Sequence, residues 1–237
     1  MNPLAIGIDI GGTFTDFVVY DRQKRQLKTF KLPSTPKNPS QAVIIGLKSI
    51  HKSGQDATQS ISEGSIVITH GSTVATNILL ERKGSPTALI TTAGFRDVIQ
   101  IGRQNRPSLY EFSITLPPPL VPTHLRFEVT ERVDQKGNIL VPLDLQEVGR
   151  LIKKLKRTGV NSIAVSLLFS FLCPDHEKLL GEKLRQEGFR VSLSSEILPV
   201  FREYERTSTT VVNAYVGSTM AEYTLVKILN SSATRMS

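Results

Sequence analysis

The chain has 237 residues, 39% hydrophobic and 21% charged, the make-up of a folded protein with one or two cores rather than of a disordered or fibrous chain. No apolar run reaches the roughly 18 residues of a membrane span, no signal peptide is expected at the start, and a single cysteine, Cys173, excludes an internal disulfide framework and suits a reducing, cytoplasmic location. The net charge of +8 raises nucleic acid as a partner. The basic residues are scattered, however, as Arg22-Lys24-Arg25-Lys28 and Lys153-Lys154-Lys156-Arg157, and tryptophan is absent, so neither nucleic acid nor membrane is expected. The excess of positive charge also suits an anionic substrate or an acidic partner subunit.

Three strands are predicted first, over 4–10, 14–20 and 27–32, as a β-meander turned at 21–26. Pro33 to Pro36 cannot extend the sheet. A helix begins at Asn38-Pro39-Ser40, with Ala42, Val43, Ile45, Leu47 and Ile50 as its apolar face. A polar loop over 53–64, a short buried strand over 66–69 and a helix over 72–82 follow, then a strand over 87–91 and a short helix or turn over 94–101. Residues 105–122 are proline-rich and irregular. Residues 125–133 alternate as an exposed edge strand, with Leu125, Phe127 and Val129 on one side and Arg126 and Glu128 on the other. Asp144 caps a helix that Gly159 stops. The apolar run 160–169, a helix opened by Pro174-Asp175 and a strand over 189–193 make a βαβ unit with a parallel pair. Cys173, at the strand-to-helix junction, reads as structural. A helix over 207–229 runs into an uncapped tail.

The most informative stretch is Asp9-Ile10-Gly11-Gly12-Thr13-Phe14-Thr15-Asp16. An apolar strand delivers an aspartate to a Gly-Gly turn, and a second strand returns. Gly11 and Gly12 carry no Cβ and let their amides approach an anion. Thr13 and Thr15 can donate to phosphate oxygens, and Asp9 and Asp16 can hold Mg²⁺ directly or through water. A bare hairpin with a turn-capping aspartate is the competing reading. Neither G-x-x-x-x-G-K-[ST] nor G-x-G-x-x-G occurs, so a nucleotide site here is of the hairpin type.

A second stretch, Thr69-His70-Gly71-Ser72-Thr73-Val74-Ala75-Thr76-Asn77, ends a strand and opens a helix. Helix starts attract anions, although Ser72 or Thr73 can equally be a plain N-cap. His70 suits polarising a carbonyl or moving a proton, or a structural hydrogen bond. Gly94-Phe95-Arg96-Asp97 and Gly102-Arg103-Gln104-Asn105-Arg106-Pro107 place arginine forks in loops, and Phe201 to Thr210 is either a helix start with Glu203–Arg206 pairing or a cleft lining. No G-x-S-x-G elbow and no H-x-x-x-H or C-x-x-C spacing occurs, which argues against a zinc hydrolase.

In order and spacing these blocks, with Glu203-Tyr204-Glu205-Arg206-Thr207-Ser208-Thr209-Thr210, resemble the hydantoinase A/5-oxoprolinase family, which includes the acetone carboxylase β-type subunits. The family more often has Thr in place of Ser72, and the resemblance fades from about Leu225. It implies an α/β, actin-like ATPase (ribonuclease H-like) N-terminal lobe, a mixed sheet with flanking helices. The implied division is an N-terminal domain over 4–195, the start of a truncated hydantoinase A domain over 196–229, and a tail over 230–237.

The resemblance also implies ATP and Mg²⁺ as cofactors and a small cyclic amide, such as a hydantoin or 5-oxoproline, as substrate. Gly11, Gly12, Thr13 and Thr15 would bind phosphate. Asp9 and Asp16 would organise Mg²⁺ and the attacking water as metal-holding catalytic residues, and His70, catalytic too, would face the substrate. Ser72, Thr73, Asn77, Arg103 and Arg106 would face the substrate. Family members carry a second D-x-G-G-T motif in a downstream domain. This chain alone is therefore expected to lack a complete ATP site and to partner that missing half or a hydantoinase B-type subunit. The alternatives are a non-catalytic remnant or docking module of a split enzyme, and a small sugar or acyl kinase sharing only the phosphate hairpin.

Overall fold

A computed structural model describes residues 4–35, 39–52, 66–104 and 118–223. The predicted loop 53–64, most of the proline-rich stretch and the tail lie outside the described residues. The chain divides into two compact units, one of Met1–Glu81 with Met220–Ser237 and one of Arg82–Thr219, each with its own apolar core.

In the first unit, β1 (Leu4–Ile10), β2 (Phe14–Asp21) and β3 (Gln26–Pro33) form the predicted antiparallel meander. β4 (Ile66–Ser72) joins β1 in parallel, giving the mixed order β3-β2-β1-β4. The turn between β2 and β3 is held by Asp21, whose Oδ1 accepts the amides of Gln23 and Lys24 at 3.0 Å each. β2 alternates strictly: Thr15, Phe17, Val19 and Asp21 are buried, while Phe14, Asp16, Val18 and Tyr20 are exposed. α1 (Pro39–Lys52) packs into the buried side through Val43 and Ile50. Ile45, expected on its apolar face, is 50% exposed. Gly46 takes the inward position instead. A Cβ there would lie 2.1 Å from Phe17 Cζ, so that ring, stacked on Phe30 at 4.7 Å, meets the helix backbone directly.

β4 runs to Ser72, beyond the predicted 66–69, because its full length ladders with β1. His70 and Gly71 are therefore strand residues, opposite Ile8 and Asp9. The strand is half-exposed rather than buried, since among the described residues it is an edge of this sheet. α2 (Val74–Leu80) follows, shorter than the predicted 72–82.

The second unit opens with β5 (Thr87–Thr92) and α3 (Val98–Ile101), then β6 (Arg126–Val129) and a hairpin of β7 (Arg132–Val133) and β8 (Ile139–Val141). α4 (Leu145–Thr158), β9 (Ser162–Ser166), α5 (Asp175–Gln186), β10 (Arg190–Leu193), α6 (Ser194–Ile197) and α7 (Glu203–Tyr223) complete it. Its sheet is wholly parallel, in the order β10-β9-β5-β6. β5 and β9 are buried at every residue, as strands covered on both faces must be. Leu151 and Leu155 of α4, Leu180 and Leu184 of α5, and Val211 and Ala214 of α7 belong to its core. Each large side chain buried there contributes roughly 1.5–3 kcal/mol.

Arg126, predicted on the open side of an edge strand, is 4% exposed. Its Nε donates to Val121 O at 3.0 Å, one terminal nitrogen donates to Gln100 Oε1 at 2.8 Å, and the other pairs with Asp97 at 3.3 Å. The short helix after β5 supplies partners that strand periodicity alone does not reveal.

Candidate functional site

The hairpin between β1 and β2 is closed by the Gly11 amide donating to Phe14 O at 3.0 Å, with exposed Gly12 and Thr13 at its tip. Neither glycine uses a positive φ. Space is tight at Gly11, where a Cβ would stand 3.0 Å from Phe14 O, whereas a Cβ on Gly12 would meet only Asn77 Nδ2 at 4.0 Å. Ser34, just past β3, braces the turn. Its Oγ donates to Gly11 O at 2.7 Å, and its amide donates to Thr13 O at 2.8 Å. Thr15 Oγ1 shares a 3.0 Å hydrogen bond with the same hydroxyl and is fully buried, so this threonine faces the core side of the hairpin rather than its tip.

Asp9 and Asp16 are register partners across β1 and β2, which puts both on one face, and both are exposed. Lys31 pairs with Asp16 at 3.8 Å. Gly71 lies opposite Asp9 on the other side, where a Cβ would come within 3.6 Å of Asp9 Oδ1. Among the described residues no group of three or more His, Cys, Asp or Glu could enclose a metal. Two aligned carboxylates fit Mg²⁺, which binds through one or two carboxylates and takes its other oxygens from water and phosphate.

His70 shares the sheet's other face with its register partner Ile8, on the side where Phe17 and Val19 are buried. Its Nε2 is buried without a hydrogen-bond partner among the described residues. Burial lowers its pKa below the ordinary imidazole value, and the nearby Asp9 carboxylate opposes that shift. Ser72 ends β4 opposite Ile10, and exposed Thr73 precedes α2 without making a side-chain cap. Asn77 approaches the hairpin tip from α2. The first unit thus brings Asp9, Asp16, Gly11, Gly12, Thr13 and Asn77 together, and turns Thr15 and His70 inward.

Arg103 belongs to the second unit, and Arg106 lies outside the described residues. Gly102 ends α3 with φ +56°, a left-handed backbone that favours glycine. Arg103 follows at once. Its Nε donates to Glu205 Oε1 at 2.6 Å, and a terminal nitrogen pairs with the same oxygen. A hydrogen bond from its own backbone amide, then Arg103, holds the Glu205 carboxyl below the usual carboxylate range. The start of α7 proves to be both things its sequence allowed. Arg206 is buried, pairs with Glu203 at 3.6 Å and ties α7 to Leu167 O at 2.9 Å, while Tyr204 and Ser208 line a cleft of about 480 Å³.

Sequence reasoning missed a buried polar network in this unit. Glu131 accepts from Thr92 Oγ1 and contacts His176 Nδ1 at 2.7 Å. Glu177 accepts the Leu167 amide at 2.8 Å, Ser194 Oγ at 2.6 Å and the Ser195 amide at 2.8 Å. The one signal in the sequence was His176-Glu177 in the first turn of a helix, where surface charge is ordinary. The Lys153-Lys154-Lys156-Arg157 group lies on α4 as an exposed face.

The family model of the hydantoinase/oxoprolinase N-terminal region matches residues 5–188. The chain is 40% identical to an uncharacterized protein, MJ0964, of Methanocaldococcus jannaschii, over 92% of this chain and 32% of that one. It is 36% identical to caprolactamase subunit alpha of Pseudomonas jessenii with the same coverage, and 32% identical to 5-oxoprolinase of Saccharomyces cerevisiae over 93% of this chain and 20% of that one. It therefore spans a third or less of the length of these curated relatives. A nucleotide-free acetone carboxylase structure superposes with a TM-score of 0.83 at 28% identity, covering 98% of this chain and 34% of that one. ATP-dependent caprolactamase from Pseudomonas jessenii superposes with a TM-score of 0.79 at 34% identity, covering 95% and 34%. Among the described residues no helix is long and apolar enough to cross a membrane. The fold is the α/β, actin-like ATPase type that the motifs imply, and the chain belongs to the hydantoinase/oxoprolinase N-terminal region family.

Proposed function

We propose that this chain is the N-terminal, phosphate-binding part of an ATP-dependent cyclic-amide hydrolase acting in the cytoplasm. The observation that carries the reading is the alignment of Asp9 and Asp16 on one exposed face beside the Gly11-Gly12 turn. When bound, ATP with Mg²⁺ supplies the phosphoryl group that activates the amide carbonyl. Asp9 and Asp16 would hold the cation, and Gly11, Gly12 and Thr13 would seat phosphate oxygens. Thr15, turned inward onto Ser34, keeps the turn in shape rather than reaching the ligand. His70, on the sheet's other face from the two aspartates, would act on the site through its electrostatic tie to the Asp9 carboxylate rather than by direct contact with the attacking water. In the first unit Ser72, Thr73 and Asn77 are the proposed substrate-facing residues; Arg103 is proposed for that role separately in the second unit, and Arg106 lies outside the described residues. Such chemistry rests on position and charge stabilisation.

Relatives named as enzyme subunits, and the third of their length covered here, favour a protein that works with further polypeptide, the region that those relatives carry beyond the match or a hydantoinase B-type subunit. The test is an NMR titration of the chain with Mg-ATP. Shifts at the amides of Gly11, Gly12 and Thr13, lost in Asp9→Asn, are expected. Equal binding by that variant would sink the proposal and leave the non-catalytic docking module as the better account.

A further inference from the structure

β5 and β9 lie side by side in the second unit's parallel sheet, and the strand order reverses between them: β5 leads to β6 on one side, β9 to β10 on the other. The crevice outside the carboxyl ends of such a pair is where open parallel sheets seat ligands. Thr91 and Ser166, register partners at those ends, line a notch there with Arg206 and Thr207 of α7. Its volume of about 10 Å³ holds one oxygen-sized group. Thr91 Oγ1 and Arg206 Nε have no hydrogen-bond partner among the described residues, although the two residues are only 2% and 1% exposed. Buried polar groups are nearly always paired, so two exceptions in one notch point to a ligand. Arg206 itself is fixed: its terminal nitrogens donate to Val200 O at 2.8 Å and Leu167 O at 2.9 Å, and its guanidinium lies over the Phe171 ring at 5.3 Å. Ser166 and Thr207 hydrogen-bond each other at 2.8 Å. Next to Leu168, which also lines the notch, Phe169 holds φ +56°, a conformation that bulky residues rarely adopt and that clusters at ligand sites.

We infer that this notch is a second binding site, which seats the hydroxyl group of a small uncharged compound. Arg206 Nε donates to the hydroxyl oxygen, and the hydroxyl donates in turn to Thr91 Oγ1. The carbon skeleton rests on Phe95, Val98 and Leu168, the apolar part of the lining. A carboxylate would meet Glu203, which lines the same notch and pairs with Arg206 at 3.6 Å. A cation would meet the guanidinium. A carbonyl oxygen only accepts, whereas the notch also offers acceptors, the Thr91 oxygen and the Glu203 carboxylate; a hydroxyl satisfies both sides. The site stands apart from the cyclic-amide reading and does not depend on it.

The experiment is methyl-detected NMR on the whole chain, titrated separately at neutral pH with cyclohexanol, cyclohexanone and cyclohexanecarboxylate, which share one carbon ring. Shifts at Val98 and Leu168 are expected with cyclohexanol, roughly threefold tighter or better than with the ketone and roughly tenfold or better than with the carboxylate. Thr91→Val keeps the shape of the side chain and removes its hydroxyl. It should weaken the response to the alcohol roughly three- to tenfold, the loss of one hydrogen bond. Val98→Phe, a change at a half-buried position that fills the notch, should abolish the response, with the methyls of Ile90 and Val165 reporting that the fold is retained. A ketone or carboxylate bound as tightly as the alcohol would overturn the hydroxyl assignment. An undiminished response in Thr91→Val would overturn the seat at Thr91 and Arg206. Shifts that persist in Val98→Phe, or silence with all three compounds, which would leave the notch to a single water, would overturn it as a ligand site.

Discussion

Gly12 and Asp9 separate what the hairpin needs to fold from what it needs to work. A methyl group on Gly12 has open space in the protein, with Asn77 Nδ2 4.0 Å away and no positive φ to oppose it. Gly12→Ala should therefore leave the melting temperature nearly unchanged. Under the proposed function it should weaken Mg-ATP binding about tenfold, about 1.4 kcal/mol, because the methyl intrudes where phosphate oxygens would approach. Calorimetry on both species checks this, and a destabilised variant with unaltered binding would mean that the glycine serves only the fold. Asp9 also has a measurable tie to His70, whose pKa burial lowers and the Asp9 carboxylate partly restores. Asp9→Asn should lower the His70 midpoint further, read from the ring protons by NMR. The stability consequence follows in sign. The fold prefers neutral His70, so its contribution is complete above the ordinary value of 6.5 and is lost as the pH falls through the lower folded value. His70→Gln should flatten that acid-side decline in the denaturation midpoint. An imidazole titrating at or above 6.5 would contradict the geometry.

At the scale of the element, the test falls on α1 and its contact with the meander. Gly46 permits the helix backbone to touch the Phe17 ring, which is fully buried and stacked with its plane 2° from that of Phe30. Gly46→Ala would improve helix propensity by about 1 kcal/mol in isolation. The Cβ clash at 2.1 Å reverses that gain, and a net loss of about 1–3 kcal/mol is expected by urea denaturation. The same contact shows where sequence reading stopped. The alternation in β2 and the turn after Asp21 were legible, because local chemistry decides them. Asp144 and Gly159 bounded α4 correctly for the same reason. Ile45 and Gly46 were not legible, since only the position of Phe17 on another element tells which of them turns inward. His-Gly-Ser reads as a strand end, which places the end of β4 at Thr69 on sequence alone, while its ladder to Ile10 is a tertiary fact. In the site, the Gly-Gly turn and its two aspartates could be read from residue types. The brace from Ser34 and the inward turn of Thr15 and His70 depended on register, which one strand's sequence does not contain.

At the scale of the molecule, the family match runs across both compact units, while the chain covers 32% of caprolactamase subunit alpha. Phosphoryl transfer needs donors arranged around the phosphates and water kept from the reacting centre. The first unit's proposed residues do not meet that need unaided: Asp9, Asp16, Gly12 and Thr13 are all exposed. Two carboxylates facing each other across a strand pair are a repulsive arrangement in the absence of a cation, so metal and nucleotide should stabilise the chain together more than either does alone. Under the proposed function, catalysis should depend on polypeptide that relatives carry outside the matched third. The expected outcome is that this chain shows no lactam-stimulated phosphate release by itself and gains it when mixed with the remaining region of caprolactamase subunit alpha, expressed separately. Asp9→Asn should abolish the gain while leaving association, followed by sedimentation, unchanged. Association with no phosphate release, even with wild-type Asp9, would show that this chain serves its partner as a structural module and not as the phosphate-handling part.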